Sequence, residues 1–400
     1  MQQLIQIILL VCFCLMAVFI IYLLIIAIAG KFAPKFILTE KEIKLSIAIL
    51  IPAYKENAII LDTVKSAVKH NYPSEKFQVY VAADQIAEDI LSELKNTGAE
   101  IMPVSFRNST KAASLNAVLN NIPEGKHDIA LVLDADNILQ EGSLDKINSA
   151  FQKGYKGVQL HRIAKNFNNE FAIADGIIEE INNHLFRRGQ QAIGFSSHTI
   201  GSGMAFEFSK LKEIYNKPGI IDNPACDREV DFEIMKAGIK IAFLDEVYVY
   251  DEKVSATNIF FRQRLRWLES HIFHLKLFLK EKVTLKGKEY WNRLFSVLIP
   301  PRVIFFLFFF ISIILYIIEK IFSLKLLIPE FLWWVVLMAL FLLTLIISLP
   351  GKKQKIITWK LFPALLVLII TYLKAFLGIR HRRKEFIHTP KNYSNSTKDK

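Results

Sequence analysis

Residues 4–29 form a run of apolar side chains without a single charge, and three more predominantly apolar runs, 297–318, 326–349 and 356–377, lie toward the other end of the chain. Each is long enough to cross a bilayer core of about 30 Å. This feature constrains the fold most, because it assigns both ends of the chain to helices that expose apolar surface. The rest of the composition agrees: 52% of residues are hydrophobic and 31 are Phe, concentrated toward the C-terminal end, and mean hydropathy is +0.30. A cleaved signal peptide competes for the first run, since Ala27-Ile28-Ala29 looks like a small-residue cleavage site. No positive residue precedes the run, however, and it exceeds the usual h-region of roughly 7–15 residues. A retained anchor is therefore expected.

The net charge is +12. Basic residues flank the apolar runs: Lys31, Lys35, Lys41 and Lys44 after the first, Lys352, Lys353 and Lys355 between later ones, and Arg380, Arg382, Arg383 and Lys384 after the last. Such placement marks cytoplasmic sides and contact with anionic membrane lipids, and it argues against nucleic acid as a partner. The N-terminus is expected outside, the central domain in the cytoplasm, and the protein in the membrane of a bacterium. Three spans after a cytoplasmic domain would leave the C-terminus outside, while the basic cluster at 380–384 favours the inside. The last run, interrupted by Lys360 and Lys374, is the candidate for a re-entrant or interfacial segment. Trp333 and Trp334 are expected at the headgroup boundary. Three cysteines, Cys12, Cys14 and Cys226, offer no disulfide framework or zinc spacing. The expected organisation is an anchor at 1–30, a domain at 45–270, an amphipathic interfacial segment at 271–295, C-terminal membrane helices at 296–379 and a basic polar tail at 380–400.

Within the domain, 45–51 reads as a strand buried on both faces, ending in the polar turn Pro52-Ala53-Tyr54-Lys55-Glu56-Asn57. Strands follow at 77–82, ending at Asp84, at 100–104 and at 129–133, with helices before Val68 and at 111–119. Later strands are expected at 157–161, 204–208, 239–244 and 247–250, with a helix at 228–237 closed by Gly238. This alternation predicts an α/β, doubly wound sheet with its ligand site at the strand C-termini. Neither a Gly-x-Gly-x-x-Gly turn nor a Walker loop is present. The strand at 129–133 delivers Asp134 and Asp136 to that edge; residues i and i+2 of a strand share a face, so both carboxylates can face one divalent cation.

Glu56, Asp84, the pair Asp134 and Asp136, Asp227, and the run Gln263-Arg264-Leu265-Arg266-Trp267 together resemble the membrane-bound glycosyltransferases of family 2, which include cellulose, hyaluronan and poly-N-acetylglucosamine synthases. The resemblance covers 45–267 and the helix layout at both ends, and it implies a GT-A-type fold. It implies that Pro52, Tyr54 and Glu56 hold the nucleotide, that Asp84 contacts the uracil ring, and that Lys111, in the run Lys111 to Asn116, lies near the nucleotide or diphosphate. Asp134 and Asp136 become the metal site for Mg²⁺ or Mn²⁺, with Asp136 as a direct ligand and Asp134 near the donor as well. Asp227 becomes the general base, although the family's preceding glutamate is replaced by Cys226. Gln263 and Arg266 face the diphosphate, Trp267 offers a flat face to the acceptor sugar, and the Gly201-Ser202-Gly203 turn borders the acceptor.

The implied activity is inverting transfer from a nucleotide-sugar donor, expected to be a UDP-sugar, to a growing polysaccharide. One base and direct displacement require no carboxylate nucleophile. Alternatives are transfer of one sugar to a lipid or lipid-linked acceptor, and a non-catalytic sugar-nucleotide-binding partner subunit. An accessory subunit is a further expected partner.

Overall fold

The computed structural model describes residues 2–34, 39, 41–223, 226–254, 257–280, 287–350 and 361–378. Its strands are β1 (Ile47–Tyr54), β2 (Phe77–Asp84), β3 (Glu100–Val104), β4 (Ile129–Val132), β5 (Ile138–Leu139), β6 (Gly157–Ala164), β7 (Met204–Glu207) and β8 (Ile241–Asp251). Its helices are α1 (Gln2–Lys31), α2 (Ile60–Ala67), α3 (Glu88–Lys95), α4 (Lys111–Asn121), α5 (Ser143–Gln152), α6 (Glu170–Asn183), α7 (Gln190–Ala192), α8 (Phe208–Tyr215), α9 (Asp227–Lys236), α10 (Thr257–Lys280), α11 (Lys288–Leu298), α12 (Arg302–Phe322), α13 (Phe331–Ile347) and α14 (Leu361–Leu377).

The strands form one sheet in the order β3-β2-β1-β4-β7-β6-β8-β5. β3, β2, β1 and β4 run parallel, as the alternation predicts. β7 enters antiparallel between β4 and β6, and β5 pairs antiparallel with β8. The sheet is therefore mixed, with the antiparallel β7 and β5 added to the parallel strands that the alternation predicts. The physical reason lies in residues 165–203, which leave β6 and return at the same edge of the sheet, so the short apolar β7 runs back antiparallel beside it. Burial follows the strand period. Ile47, Ile49 and Ile51 pack with Ile60 and Val64 of α2 on one face. Ala48 and Leu50 pack with Leu115 and Leu119 of α4 on the other. Both faces are covered, which is why β1 reads as an unbroken apolar run.

Two strand boundaries also differ from expectation. β1 continues through Pro52-Ala53-Tyr54, because β2 offers it a partner up to the pair Tyr54 and Asp84. The two strands expected at 239–244 and 247–250 are one, β8. Its pairing with β6 jumps from Leu244 to Tyr248 between Leu160 and His161, so the polar residues Asp245 and Glu246 sit in an irregularity rather than a turn.

The chain divides into two units. The sheet belongs to the unit made of Lys35–Glu179, Ser196–Thr284 and Pro363–Lys400; the other comprises Met1–Pro34, Glu180–Phe195 and Leu285–Phe362. In the latter, α1 leaves Leu4, Ile7, Val11 and Leu15 exposed. Phe13 packs on Trp334 with ring centroids 5.3 Å apart. Trp334 is buried and donates its indole N–H to the Pro329 carbonyl at 2.9 Å, so of the two tryptophans expected at a headgroup boundary only Trp333 is exposed. α1 and α12 are long and apolar enough to cross a membrane. α12 starts later than expected because Pro300 and Pro301 stop a helix from beginning at 297. α13 and α14 are shorter apolar helices. The segment expected at 271–295 divides between the end of α10 and α11, and 281–286, 351–360 and the tail at 380–400 lie outside the described residues.

Candidate active site

β2, β1 and β4 are parallel neighbours, so their C-terminal ends open on one edge of the sheet. Tyr54 closes β1 opposite Asp84. The next residues, Lys55 and Gln85, both take positive φ, +57° and +55°, a conformation that costs a non-glycine residue about 1–2 kcal/mol. The Lys55 N–H donates to the Asp84 carbonyl at 3.1 Å. Asp84 is fully buried, and neither carboxylate oxygen finds a hydrogen-bond partner among the described residues. Burial raises its pKa, with Ser109 and Lys55 pulling the other way. The carboxylate has acceptor capacity beyond what the Ser109 hydroxyl can fill. Glu56 and Pro52 are half-buried beside it.

The acidic pair does not sit on a strand. β4 ends at Val132, and Asp134 and Asp136 lie in the turn beyond it, where the Asn137 N–H donates to the Asp134 carbonyl at 3.0 Å. The strand alternation therefore cannot direct both carboxylates the same way, and their surroundings differ. The Asp134 side chain is 31% exposed, and Asp136 is buried. Asp136 accepts from the Glu252 N–H at 3.1 Å and from the Asn137 amide at 3.3 Å.

Lys111 joins this turn to the rest of the site. It is the first residue of α4, behind the cap Thr110, whose hydroxyl accepts from the Ala113 N–H at 2.9 Å and donates to the Ile221 carbonyl at 2.6 Å. A cation is disfavoured at a helix N-terminus, and carboxylates compensate here. The ammonium donates to Asp134 Oδ1 at 2.5 Å and to the Gly201 carbonyl at 2.7 Å, and it lies 3.7 Å from Asp227 Oδ1. Burial alone would lower the lysine's pKa; Asp134 and Asp227 outweigh it and raise it, so the charge is fixed.

Asp227 opens α9 as its first residue. It is 45% exposed, open to an incoming group. Cys226, at the cap position, is buried; burial first, then Asp227, pushes its thiol far up, so it is a neutral packing group. Gly201 has φ +82°, and a Cβ there would stand 2.2 Å from Asp227 Oδ1. The turn thus needs glycine for both its conformation and its closeness to the carboxylate. Ser202 is buried; its hydroxyl accepts from the Asp134 N–H at 2.9 Å and donates to Asn137. Gly203, φ +62°, donates its N–H to the Val132 carbonyl at 2.8 Å.

Gln263, Arg266 and Trp267 lie on α10, one continuous helix with the segment after them. Burial lowers the Arg266 pKa, and Asp227 then Asp134 oppose that, so its guanidinium lies within the field of both carboxylates. Gln263 has a buried Oε1 without a hydrogen-bond partner among the described residues. Trp267 is 36% exposed, with the Arg264 guanidinium 4.2 Å from its ring centre. Arg264 in turn pairs with Asp175 and lies 4.4 Å from the Phe260 ring centre.

Behind Asp136 lies a group that sequence reasoning did not select: the buried Asn137, Asp251, Lys253 and Glu179, with the half-buried Arg162. Asp251 and Lys253 follow the strand expected at 247–250, so the strand-end logic that singled out Asp84 applies to them equally.

The C-terminal edge of the sheet gathers carboxylates, with the Lys111 ammonium and the half-buried Arg266 guanidinium in their field, at the edge where α/β sheets take their ligands. Residues 45–270, more than half of the chain, match the family described as glycosyltransferase like family 2, and the chain belongs to that family. It is a transferase that moves a sugar from a nucleotide sugar. The probable glycosyltransferase YdaM of Bacillus subtilis (strain 168) is 22% identical over 368 residues, covering 87% of this chain and 86% of that protein. The mannosyltransferase PcManGT from Pyrobaculum calidifontis, solved in complex with GDP-Man and Mn²⁺, shares the fold with a TM-score of 0.59 at 13% identity, over 94% of this chain and 98% of that one. S. aureus TarS 1–349 matches with a TM-score of 0.42 at 14% identity, over 84% of this chain and 91% of that one.

Proposed function

We propose that this chain is a membrane-embedded, inverting glycosyltransferase with Asp227 as its general base. One observation carries this reading: an exposed carboxylate at a helix N-terminus, Asp227, shares the Lys111 ammonium with Asp134 at the sheet edge. Asp227 takes the proton from the acceptor hydroxyl as its oxygen attacks the anomeric carbon. The bond from that carbon to the nucleoside diphosphate breaks on the opposite side, so configuration inverts. Arg266 and Lys111 offset charge on the departing diphosphate, with Gln263 beside them. Asp84 accepts an N–H of the base, and Pro52, Tyr54 and Glu56 line the nucleotide. The donor is a UDP-sugar, and Trp267 takes the acceptor sugar on its open face beside Gly201, Ser202 and Gly203.

Asp134 and Asp136 would hold a divalent cation. Hard carboxylate oxygens suit Mg²⁺ or Mn²⁺, and the chain offers two such carboxylates here. That donor set fits an ion whose shell is completed by donor phosphates and water. When bound, the cation would supply Lewis-acid neutralisation of diphosphate charge.

The acceptor is a growing polysaccharide, a reading supported by Gln263, Arg266 and Trp267 standing at the motif spacing of chain-making members. Transfer of a single sugar to a lipid-linked acceptor is the second reading, favoured by the shortness of α13 and α14. The test is nucleoside diphosphate release by purified protein in lipid, across UDP- and GDP-sugars, with Mn²⁺, Mg²⁺ and then EDTA. One donor turning over only with metal supports the reading, and product size separates polymer from glycolipid. Binding of nucleotide without turnover, even with membranes supplied, would instead indicate a non-catalytic partner subunit.

A further inference from the structure

We infer that Asn137 is a positioning residue that locks the acidic pair to the turn seating the base. The inference rests on the reading of Asp134, Asp136 and Asp227 given above. Asn137 is buried. Its amide N–H₂ donates to Asp136 Oδ1 at 3.3 Å and to Asp251 Oδ1 at 3.2 Å. Its carbonyl oxygen accepts from the Ser202 hydroxyl, and that hydroxyl accepts the Asp134 N–H at 2.9 Å. One side chain therefore reaches Asp136 directly, Asp134 through one hydroxyl, and the residue next to Gly201, which touches Asp227.

The far side of Asn137 is anchored by charge. Asp251 Oδ2 accepts from the Lys253 ammonium at 2.6 Å, and Lys253 also pairs with Glu179. Glu179 accepts from Arg162 Nε at 2.7 Å. Burial pushes the Glu179 carboxyl up, but Arg162 and Lys253 overcome that and hold it low. Such a network is costly to bury and is weak evidence of stability alone. Its geometry supplies a reason to keep it. Asn137 places a neutral amide between Asp136 and Asp251, and it has the two kinds of hydrogen-bonding group needed to hold a carboxylate on one side and a hydroxyl on the other. The Asp136 carboxylate is thereby set at both oxygens, by Asn137 and by the Glu252 N–H.

Asn137→Ala, Ser202→Ala and the double variant test this. Binding of UDP and GDP is measured by calorimetry with Mn²⁺ and with EDTA, alongside kcat and KM for the donor and the thermal midpoint. We expect Mn²⁺-dependent nucleotide affinity to fall about tenfold in Asn137→Ala, kcat to fall at least as much, and metal-free affinity to hold. The double variant is expected to lose less than the product of the two single losses, because both cut the Ser202–Asn137 link. Ser202→Ala removes one oxygen from a turn and carries the test if Asn137→Ala does not fold. Wild-type affinity, KM and kcat per folded molecule in these variants, whether or not the thermal midpoint drops, would make the network structural only and overturn the inference, as would losses that multiply in the double. Wild-type protein that binds neither nucleotide with Mn²⁺ would sink the site reading itself and this inference with it.

Discussion

Gly201 and Asp227 approach so closely that the glycine has no neutral substitute. A methyl group at Gly201 would meet all three atoms of the Asp227 carboxyl within 2.6 Å, on a backbone at φ +82°. Gly201→Ala should therefore displace the base while leaving the nucleotide pocket at Asp84 intact. We expect kcat to fall about 10²–10⁴-fold, the usual worth of a general base, with nucleotide affinity nearly unchanged. Asp227→Asn should give the same split; steady-state kinetics with nucleotide calorimetry checks both, and equal loss of binding would refute the assignment. A second residue sets a pH dependence. His127 is buried, with Nε2 2.8 Å from the Tyr80 hydroxyl and Nδ1 2.8 Å from Ser46 Oγ. Burial, then Lys126, lowers its pKa to about 4. The unfolded chain binds this proton more readily, near the ordinary value of about 6.5, so stability is full above that pH and is lost as pH falls toward 4. The loss is on the order of 2–3 kcal/mol. The thermal midpoint of wild type should fall across that window more steeply than that of His127→Gln; parallel curves would show that the imidazole is not responsible.

At the scale of elements, the parallel half of the domain was legible because its strands are buried on both faces and end in polar residues, as with Ile47–Tyr54 and Phe77–Asp84. β7 was read as a strand but not as antiparallel, since direction depends on the excursion before it, which leaves no mark in the Met204–Glu207 pattern. Asp84 and Lys111 could be selected as strand-end and helix-start residues. Asn137 could not, because its partners Ser202 and Asp251 are 65 and 114 residues away and pairing at such distance has no local signature. The same holds for α14. Its Ala375 is fully buried against Leu265 and Leu268 of α10, so a late apolar helix supports the helix that carries Arg266 and Trp267. Leu268→Ala should cost about 2–5 kcal/mol, as cavity formation at a buried leucine does, and should raise the donor KM more than the exposed Trp267→Phe does. Thermal denaturation and donor titration test this; a full stability loss with an unchanged KM would mean that α14 supports the fold without orienting the site.

At the scale of the whole molecule, α1 and α12 are long and apolar enough to cross a membrane, and the charges beside α1 predict which side the transferase domain takes if α1 spans one. α1 carries no charged residue until Lys31, and Lys41 and Lys44 stand beyond its end. A span retains its basic flank on the cytoplasmic side, where nucleotide sugars and divalent cations are supplied together. The domain, following that flank, is expected in the cytoplasm. Ser92 in α3 is exposed and far in sequence from the site residues, so Ser92→Cys gives a reporter. Cys12 and Cys14 in α1 are replaced by alanine, and Cys226 is buried. A membrane-impermeant maleimide should leave this cysteine unlabelled in intact cells and label it after lysis, while the protein stays in the pellet after an alkaline carbonate wash. Labelling in intact cells would put the domain outside, where no donor is supplied. Release by carbonate would show that α1 and α12 lie on a surface or against protein rather than across a bilayer, and the membrane-embedded reading would then give way to transfer onto an acceptor reached from the membrane surface.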